Sequence, residues 1–164
     1  MNRELIECLA KARFLSKRSS GISDIRSDGS KCSVENDINA TGAEYFAAQA
    51  YGQPFNYSIG KRGDGGSDFV IPLSVEVIWL GVDNEGKPRQ EGHLIVNPHE
   101  PQRWASIYIV VRGSVDEGFE DIGWMPHLAL VSLPKKDFGF GDRFACHTKQ
   151  LKKPELLHAL YSVT

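Results

Sequence analysis

Hydrophobic and polar positions follow a helical period in two parts of the chain. Apolar side chains recur every three or four positions in residues 2–18 and again at about 41–51, which predicts two amphipathic helices. The second helix is expected to begin at Thr41, because Thr41 and Glu44 have the spacing of a capping box. The alternative role for Glu44 is a third acid that points toward the hairpin predicted at residues 68–80. Residues 19–37 are rich in Ser, Gly and Asp, which predicts a surface loop.

Dense runs of β-branched and aromatic residues predict the strands. The expected strands cover residues 55–59, 68–70, 74–80, 93–96, 106–111, 119–124 and 144–147. Segment 106–111 is the most apolar of them, so we expect it to be central in its sheet and buried on both faces. A short helix or turn is expected at 125–133 and a closing helix at 154–160.

A glycine-rich turn leads into a predicted hairpin that carries two acids. Pro72 cannot donate a ladder hydrogen bond, so we expect it in the hairpin tip. A three-residue tip pairs Phe69 with Val75. It also pairs Asp68 with Glu76, whose carboxylates then share one face, and a hard cation such as Mg²⁺ would offset their repulsion. Two solvated surface acids are the alternative, and a two-residue tip would turn Asp68 to the other face.

Length and composition favour one domain with a proper hydrophobic core, since 41% of the 164 residues are hydrophobic. Charged residues make up 24% and the net charge is −2, so no global basic field indicates nucleic-acid binding, although a local patch suffices. The three cysteines lack Cys-x-x-Cys spacing, which argues against a zinc knuckle or a disulfide framework and favours a reducing setting. The charged N-terminus and the lack of a long apolar run predict a cytoplasmic protein that does not cross a membrane.

Five segments occur in an order that matches a known pattern. They are the helix Gly42-Ala43-Glu44-Tyr45-Phe46-Ala47, the turn Gly65-Gly66-Ser67-Asp68-Phe69, the strand Val75-Glu76-Val77-Ile78, the strands 106–112 and 119–124, and the closing segment 150–157. Together they resemble the PD-(D/E)xK nuclease-like family of phage and bacterial proteins. The resemblance implies a restriction-endonuclease-like α/β fold, in which helices flank a mixed β-sheet. Residues 40–160 would form the nuclease-like core of the single domain, and residues 1–39 an N-terminal helix and loop.

The resemblance also implies a site for Mg²⁺ or Mn²⁺. Asp68, Glu76 and the Val77 carbonyl would bind the ion, and Glu44 would be an additional ligand. Such a metal lowers the pKa of a bound water and neutralises charge in the transition state. The family has a lysine two residues after the second acid, but Ile78 occupies that position here. Since an aliphatic side chain cannot stabilise an anion, either another cation reaches the site or the protein is a weak or dead nuclease.

Two groups of basic residues are candidates for contacts with the phosphodiester. Lys61 and Arg62 lie closest in sequence to the two acids, and Lys61 is the expected replacement for the missing lysine, with Arg62 binding nucleic acid. Lys149, Lys152 and Lys153 form a small cluster that can contact a phosphate backbone. A solvated protein surface is the alternative interpretation of both groups.

We therefore interpret the chain as a metal-dependent, nuclease-like hydrolase that acts on DNA phosphodiesters. The alternative is a catalytically inactive module of the same fold that binds nucleic acid or a protein partner, such as a phage accessory protein. Ile78 separates the two hypotheses, because only the enzyme requires a cation beside the two acids. DNA is the expected partner, a membrane is not, and a homodimer is left open.

Overall fold

A computed structural model describes most of the chain: residues 2–19, 33–59, 67–69, 73–83, 85–139 and 141–161. The described residues form four α-helices and two small β-sheets, which confirms the predicted mixed α/β class. The helices are α1 (Arg3–Ser19), α2 (Val34–Ala50), α3 (His127–Val131) and α4 (Pro154–Tyr161). The strands are β1 (Val75–Trp79), β2 (His93–Val96), β3 (Ile107–Ser114), β4 (Gly118–Pro126), β5 (Lys136–Asp137) and β6 (Asp142–His147). No helix within these ranges is long and apolar enough to cross a membrane.

The first sheet has the order β1-β3-β4, with β3 in the centre. β3 runs antiparallel to β4 and parallel to β1, where Val77 pairs with Ile109. The prediction that this central strand is buried on both faces is confirmed, since Ile109 and Val110 are both fully buried. Ile109 packs toward α2 and α4 in one core cluster, and Val110 belongs to a second cluster on the opposite face.

The second sheet has the order β2-β6-β5 and covers that opposite face. Leu94 of β2 and Cys146 of β6 pack in the same cluster as Tyr108 and Val110 of β3. Leu130 of α3 completes the cluster. The central strand therefore lies between a helical layer on one side and the second sheet on the other.

The N-terminal half of α2 differs from the prediction. The helix begins at Val34, and its cap is Ser33, whose Oγ accepts a hydrogen bond from the Asn36 N–H at 3.1 Å. Thr41 lies inside the helix and is buried, so the predicted capping box at Thr41 is wrong, as is the loop predicted for residues 34–37. Residues 20–32 of that predicted loop lie outside the described residues. Polar residues here pack inward: the Asn39 Oδ1 accepts from the Val115 N–H at 2.9 Å. Tertiary contacts therefore override the polar, loop-like composition.

The strand predicted at 55–59 is also wrong. These residues follow α2 in an irregular conformation, and their carbonyl groups bind a side chain instead of a neighbouring strand. The Arg13 guanidinium donates to the carbonyl of Asn56 at 2.7 Å and to that of Ser58 at 3.2 Å. Because one guanidinium satisfies these two carbonyl groups, the segment is fixed against α1 without strand pairing.

Candidate active site

β1 is an edge strand of the first sheet, and residues 67–69 lie along its outer side. Phe69 and Val75 exchange backbone hydrogen bonds, with N···O distances of 2.7 and 3.4 Å. This is one of the pairs predicted for a three-residue tip at residues 71–73; residues 70–72 lie outside the described residues. Both side chains are buried in the cluster beneath α2. Since strand residues alternate between faces, Glu76 belongs to the opposite face. Simple alternation does not extend to Asp68, because the Asp68 and Phe69 N–H groups both donate to the Val75 carbonyl.

The Asp68 carboxylate binds the outer edge of β1. Its Oδ2 accepts a hydrogen bond from the Val77 N–H at 2.5 Å, and the Asp68 N–H donates to the Val75 carbonyl at 2.7 Å. The N–H and C=O groups of one strand residue point to the same side of the strand. The Val77 carbonyl therefore lies on the same edge as the Asp68 carboxylate, so two of the predicted metal ligands share that edge.

Glu76 lines a pocket of about 520 Å³ at the junction of the two sheets. The residues that line it are Glu76, Ile78, Ile95, Val96, Asn97, Glu100, Arg103, Trp104, Tyr108 and Arg143. The Oε2 atom of Glu76 is buried. Burial raises the pKa of Tyr108 to about 12, and the negative charge of Glu76 adds to this rise. The Tyr108 hydroxyl therefore remains protonated at neutral pH, at 3.0 Å from the Nδ1 of His127.

Ile78 shares the pocket wall with Glu76, which fits the expectation that alternating residues of β1 face the same side. Two arginines line the same pocket. Arg103 follows β2, and its Nη1 donates to the Glu100 carboxylate at 3.1 Å. Arg143 lies on β6, and its Nη1 donates to the Asp142 carbonyl at 2.9 Å. Sequence reasoning missed both arginines, because only the packing of the second sheet on the first brings them near β1.

Glu44 is part of an ion pair between the two long helices. Its Oε2 lies 2.6 Å from the Nη1 of Arg13, and the two side chains are only 20% and 14% exposed. α2 packs on the face of the sheet that carries Val75 and Val77, whereas Glu76 faces the second sheet. The capping role of Glu44 is wrong because the helix begins ten residues earlier, and its role as an additional metal ligand stays a prediction.

The predicted basic residues differ in their surroundings, and two of them are not described by the structure. Lys61 and Arg62 lie outside the described residues. The Nζ of Lys149 lies 3.0 Å from the Glu91 carboxylate. Lys152 and Lys153 both contact Trp124 of β4: the Lys152 ammonium lies 5.3 Å from the centre of its ring, and the Lys153 carbonyl accepts from the indole N–H at 3.1 Å.

The donor set limits the kind of metal that fits. Within the part of the chain that the structure describes, no group of three or more His, Cys, Asp and Glu side chains is arranged to bind a metal. A closed zinc site, which needs four protein ligands, therefore does not fit those residues. Mg²⁺ keeps several waters and requires only one or two carboxylates, so Asp68, Glu76 and the Val77 carbonyl have the chemistry that it needs.

Comparisons with known proteins add no family to this description. No protein-family model, no curated protein and no solved structure matches the chain.

Proposed function

We propose that the chain is a nuclease-like protein with a restriction-endonuclease-like core, which acts on DNA phosphodiesters with the help of Mg²⁺ or Mn²⁺. The main support is the position of the Asp68 carboxylate, which shares the outer edge of β1 with the Val77 carbonyl, next to Glu76 in the strand. The pocket beside Glu76 is within the size range of small-molecule sites, so it can accept part of a nucleotide.

Asp68, Glu76 and the Val77 carbonyl would hold the metal. When bound, the ion would lower the pKa of a water and neutralise charge on the phosphodiester. The protein would orient the DNA strand with its own groups, among them the Tyr108 hydroxyl on the pocket wall, which keeps its proton. Lys61 and Arg62 remain the candidates nearest in sequence for the charge that Ile78 does not provide.

A second function is favoured by two observations. Ile78 is an uncharged part of the pocket wall, and the Asp68 carboxylate already accepts a hydrogen bond from the Val77 N–H. Both fit a catalytically inactive module that binds DNA or a protein partner and in which Asp68 stabilises the edge of β1.

Cleavage of single-stranded, duplex and branched DNA with Mg²⁺ or Mn²⁺ separates the two functions. The variants are Asp68→Asn, Glu76→Gln and Ile78→Lys, with Glu117→Gln as the control because Glu117 is an exposed acid outside the pocket. If the protein is an enzyme, we expect metal-dependent cleavage. Its rate should fall about 10²-fold or more in the first two variants and be unchanged in the control.

Cleavage that persists in both Asp68→Asn and Glu76→Gln would contradict the assigned site. DNA binding without cleavage by the wild-type protein, together with cleavage by Ile78→Lys, would identify the inactive module. Thermal unfolding of each variant shows whether a loss of activity reflects a loss of folded protein.

A further inference from the structure

We propose that one wall of the pocket is a subsite for an unpaired guanine base. Glu100 and Arg103 would bind the edge of the base, and Trp104 would pack against its face. This inference rests on the proposed function and deepens it, because it names the nucleotide that the site selects. All three residues line the pocket, and they belong to one loop, residues 97–104, which directly follows β2.

Measured bonds place these residues next to one another. The Trp104 indole N–H donates to the Asn97 carbonyl at 3.0 Å, and the Asn97 side-chain amide donates to the Glu100 Oε1 at 2.8 Å. The Glu100 Oε2 accepts from the Arg103 Nη1 at 3.1 Å, and Arg103 precedes Trp104 in the chain. The Asn97 Oδ1 also accepts from the His99 N–H at 3.0 Å. The loop therefore holds the carboxylate, the guanidinium and the indole in fixed relative positions.

The edge of guanine matches a carboxylate beside a guanidinium. Its Watson–Crick edge carries two adjacent donor groups, N1–H and N2–H, next to the acceptor O6. A carboxylate can accept about four hydrogen bonds, and the bonds from Asn97 and Arg103 occupy two of these positions on Glu100. The guanidinium of Arg103 has five N–H donors, of which the bond to Glu100 uses one, so it can also donate to O6. Adenine, cytosine and thymine each have a single donor group on this edge and match the pair less well.

Trp104 is suited to support the face of the base. Its ring is half-buried, and the centre of the His127 ring lies 4.7 Å from the centre of the indole. His127 is not one of the pocket residues, so it supports the indole from outside the pocket. Aromatic side chains are the usual platforms on which unpaired bases stack. In a duplex the N1–H and N2–H groups of guanine bind cytosine, so only an unpaired guanine can offer them to Glu100.

Binding of single-stranded DNA in EDTA tests the inference without requiring cleavage. The probes are fluorescently labelled 12-mers of thymine that carry guanine, hypoxanthine, adenine or cytosine at one central position, and fluorescence anisotropy gives each dissociation constant. The guanine 12-mer is expected to bind about tenfold more tightly than the adenine and cytosine 12-mers. Hypoxanthine lacks the N2 amino group, so its 12-mer is expected to have an intermediate affinity. Annealing a complementary strand should remove the preference.

Glu100→Gln is expected to abolish the preference for guanine, because an amide replaces one acceptor oxygen by a donor. Glu85→Gln is the matched control. Glu85 is also a loop acid paired with a basic side chain, since its Oε2 lies 2.9 Å from the Nζ of Lys87, but it does not line the pocket. Its replacement should leave the preference intact. Equal affinities of the wild-type protein for the guanine and adenine 12-mers, or a preference that Glu100→Gln retains, would overturn the inference.

Replacement of Trp104 tests the stacking contact. Trp104→Ala is expected to weaken binding of all four 12-mers about tenfold or more, and Trp104→Phe, which keeps an aromatic face, is expected to weaken it less. Thermal unfolding shows whether each variant is folded. Wild-type affinity in folded Trp104→Ala would overturn the role of the indole.

The binding results are independent of the cleavage results. A guanine preference that depends on Glu100, with no cleavage by any variant, would support the base subsite and contradict the proposed enzyme. Metal-dependent cleavage without any base preference would overturn the subsite and leave the enzyme in place.

Discussion

At the scale of single residues, the Asp121 carboxylate shows how one buried acid connects three parts of the fold. Its side chain is 8% exposed. The Tyr51 hydroxyl, at the end of α2, donates to its Oδ2 at 2.5 Å, and the Gly123 N–H donates to its Oδ1 at 2.9 Å. The His158 ring of α4 stacks on Tyr51 with 4.1 Å between ring centres. Burial raises the pKa of Asp121, and these two hydrogen bonds and the charge of His158 oppose the rise.

Tyr51→Phe is expected to destabilise the protein by about 1–3 kcal/mol at pH 7, because the carboxylate loses a hydrogen-bond donor in a buried position. The loss should be smaller at pH 4. The folded-state pKa of Asp121 is already raised, and removing the donor raises it further, so stability is retained at low pH and lost as pH rises through that pKa. Urea unfolding at both pH values measures the difference. Tyr57→Phe is the control, since Tyr57 is 56% exposed, and an equal loss at both pH values would contradict the explanation.

At the scale of elements, the sequence predicts the presence of a helix or strand more accurately than its first and last residues. α1, α4 and the apolar strands β1 to β4 have strong periodicity or dense β-branched residues, and all were predicted. The start of α2 and the false strand at 55–59 depend on contacts from distant residues, such as the side chains of Asn39 and Arg13. β5 was missed because it has only two residues, both polar and exposed.

Gly123 marks a close approach between β4 and the segment before α4. Its φ is +138°, and a Cβ there would lie 2.5 Å from the Lys152 carbonyl oxygen and 2.8 Å from the Leu151 Cβ. Gly118 has a φ of +90°, but a Cβ there would meet nothing within 4 Å. The two glycines therefore share the backbone constraint and differ in the space around them.

We expect Gly118→Ala to cost about 1–2 kcal/mol of unfolding free energy, since only the positive φ is unfavourable. Gly123→Ala adds a clash with backbone and is expected to cost about 1–3 kcal/mol more. Urea unfolding of both variants at pH 7 gives the comparison. Equal costs would show that residues 151 and 152 move away from β4 without penalty.

At the scale of the whole molecule, sequence reasoning recovered only part of the candidate site. Asp68 and Glu76 were singled out because they are close in sequence and flank a proline break, and the observed pair of Phe69 with Val75 is one of the pairs predicted for that hairpin. Arg103 and Arg143 had no such signal. They reach the pocket through the packing of two sheets, and a net charge of −2 gives no indication of a local pair of arginines.

Mg²⁺ binding can be measured as stability, independently of catalysis. A ligand that binds only the folded protein stabilises it by about 2.7 kcal/mol at 100 times its dissociation constant, so Tm of the wild-type protein should rise with Mg²⁺. Asp68→Asn and Glu76→Gln are expected to lose most of this rise. Glu117→Gln is expected to keep it, and the same rise in all four proteins would contradict the ligand set.

Glu44→Gln tests whether Glu44 is a structural ion-pair partner or a metal ligand, again from the change in Tm with Mg²⁺. Because Glu44 pairs with Arg13 in a mostly buried position, its replacement should lower Tm in the absence of metal. A Mg²⁺-dependent rise equal to that of the wild-type protein would mean that Glu44 holds the two helices together. A smaller rise would identify it as a metal ligand.

The parallel pairing of β1 with β3 has a consequence for the order of folding. Only residues 115–117 join β3 to β4, so these two strands can form their hairpin quickly. Pairing of β1 with β3 requires closure of the much longer loop at residues 80–106. During synthesis β1 leaves the ribosome first, but it cannot pair until β3 has been synthesised. We therefore expect the acids of the candidate site to acquire their final arrangement late in folding, after the β3–β4 hairpin has formed and β1 can pair with the free edge of β3.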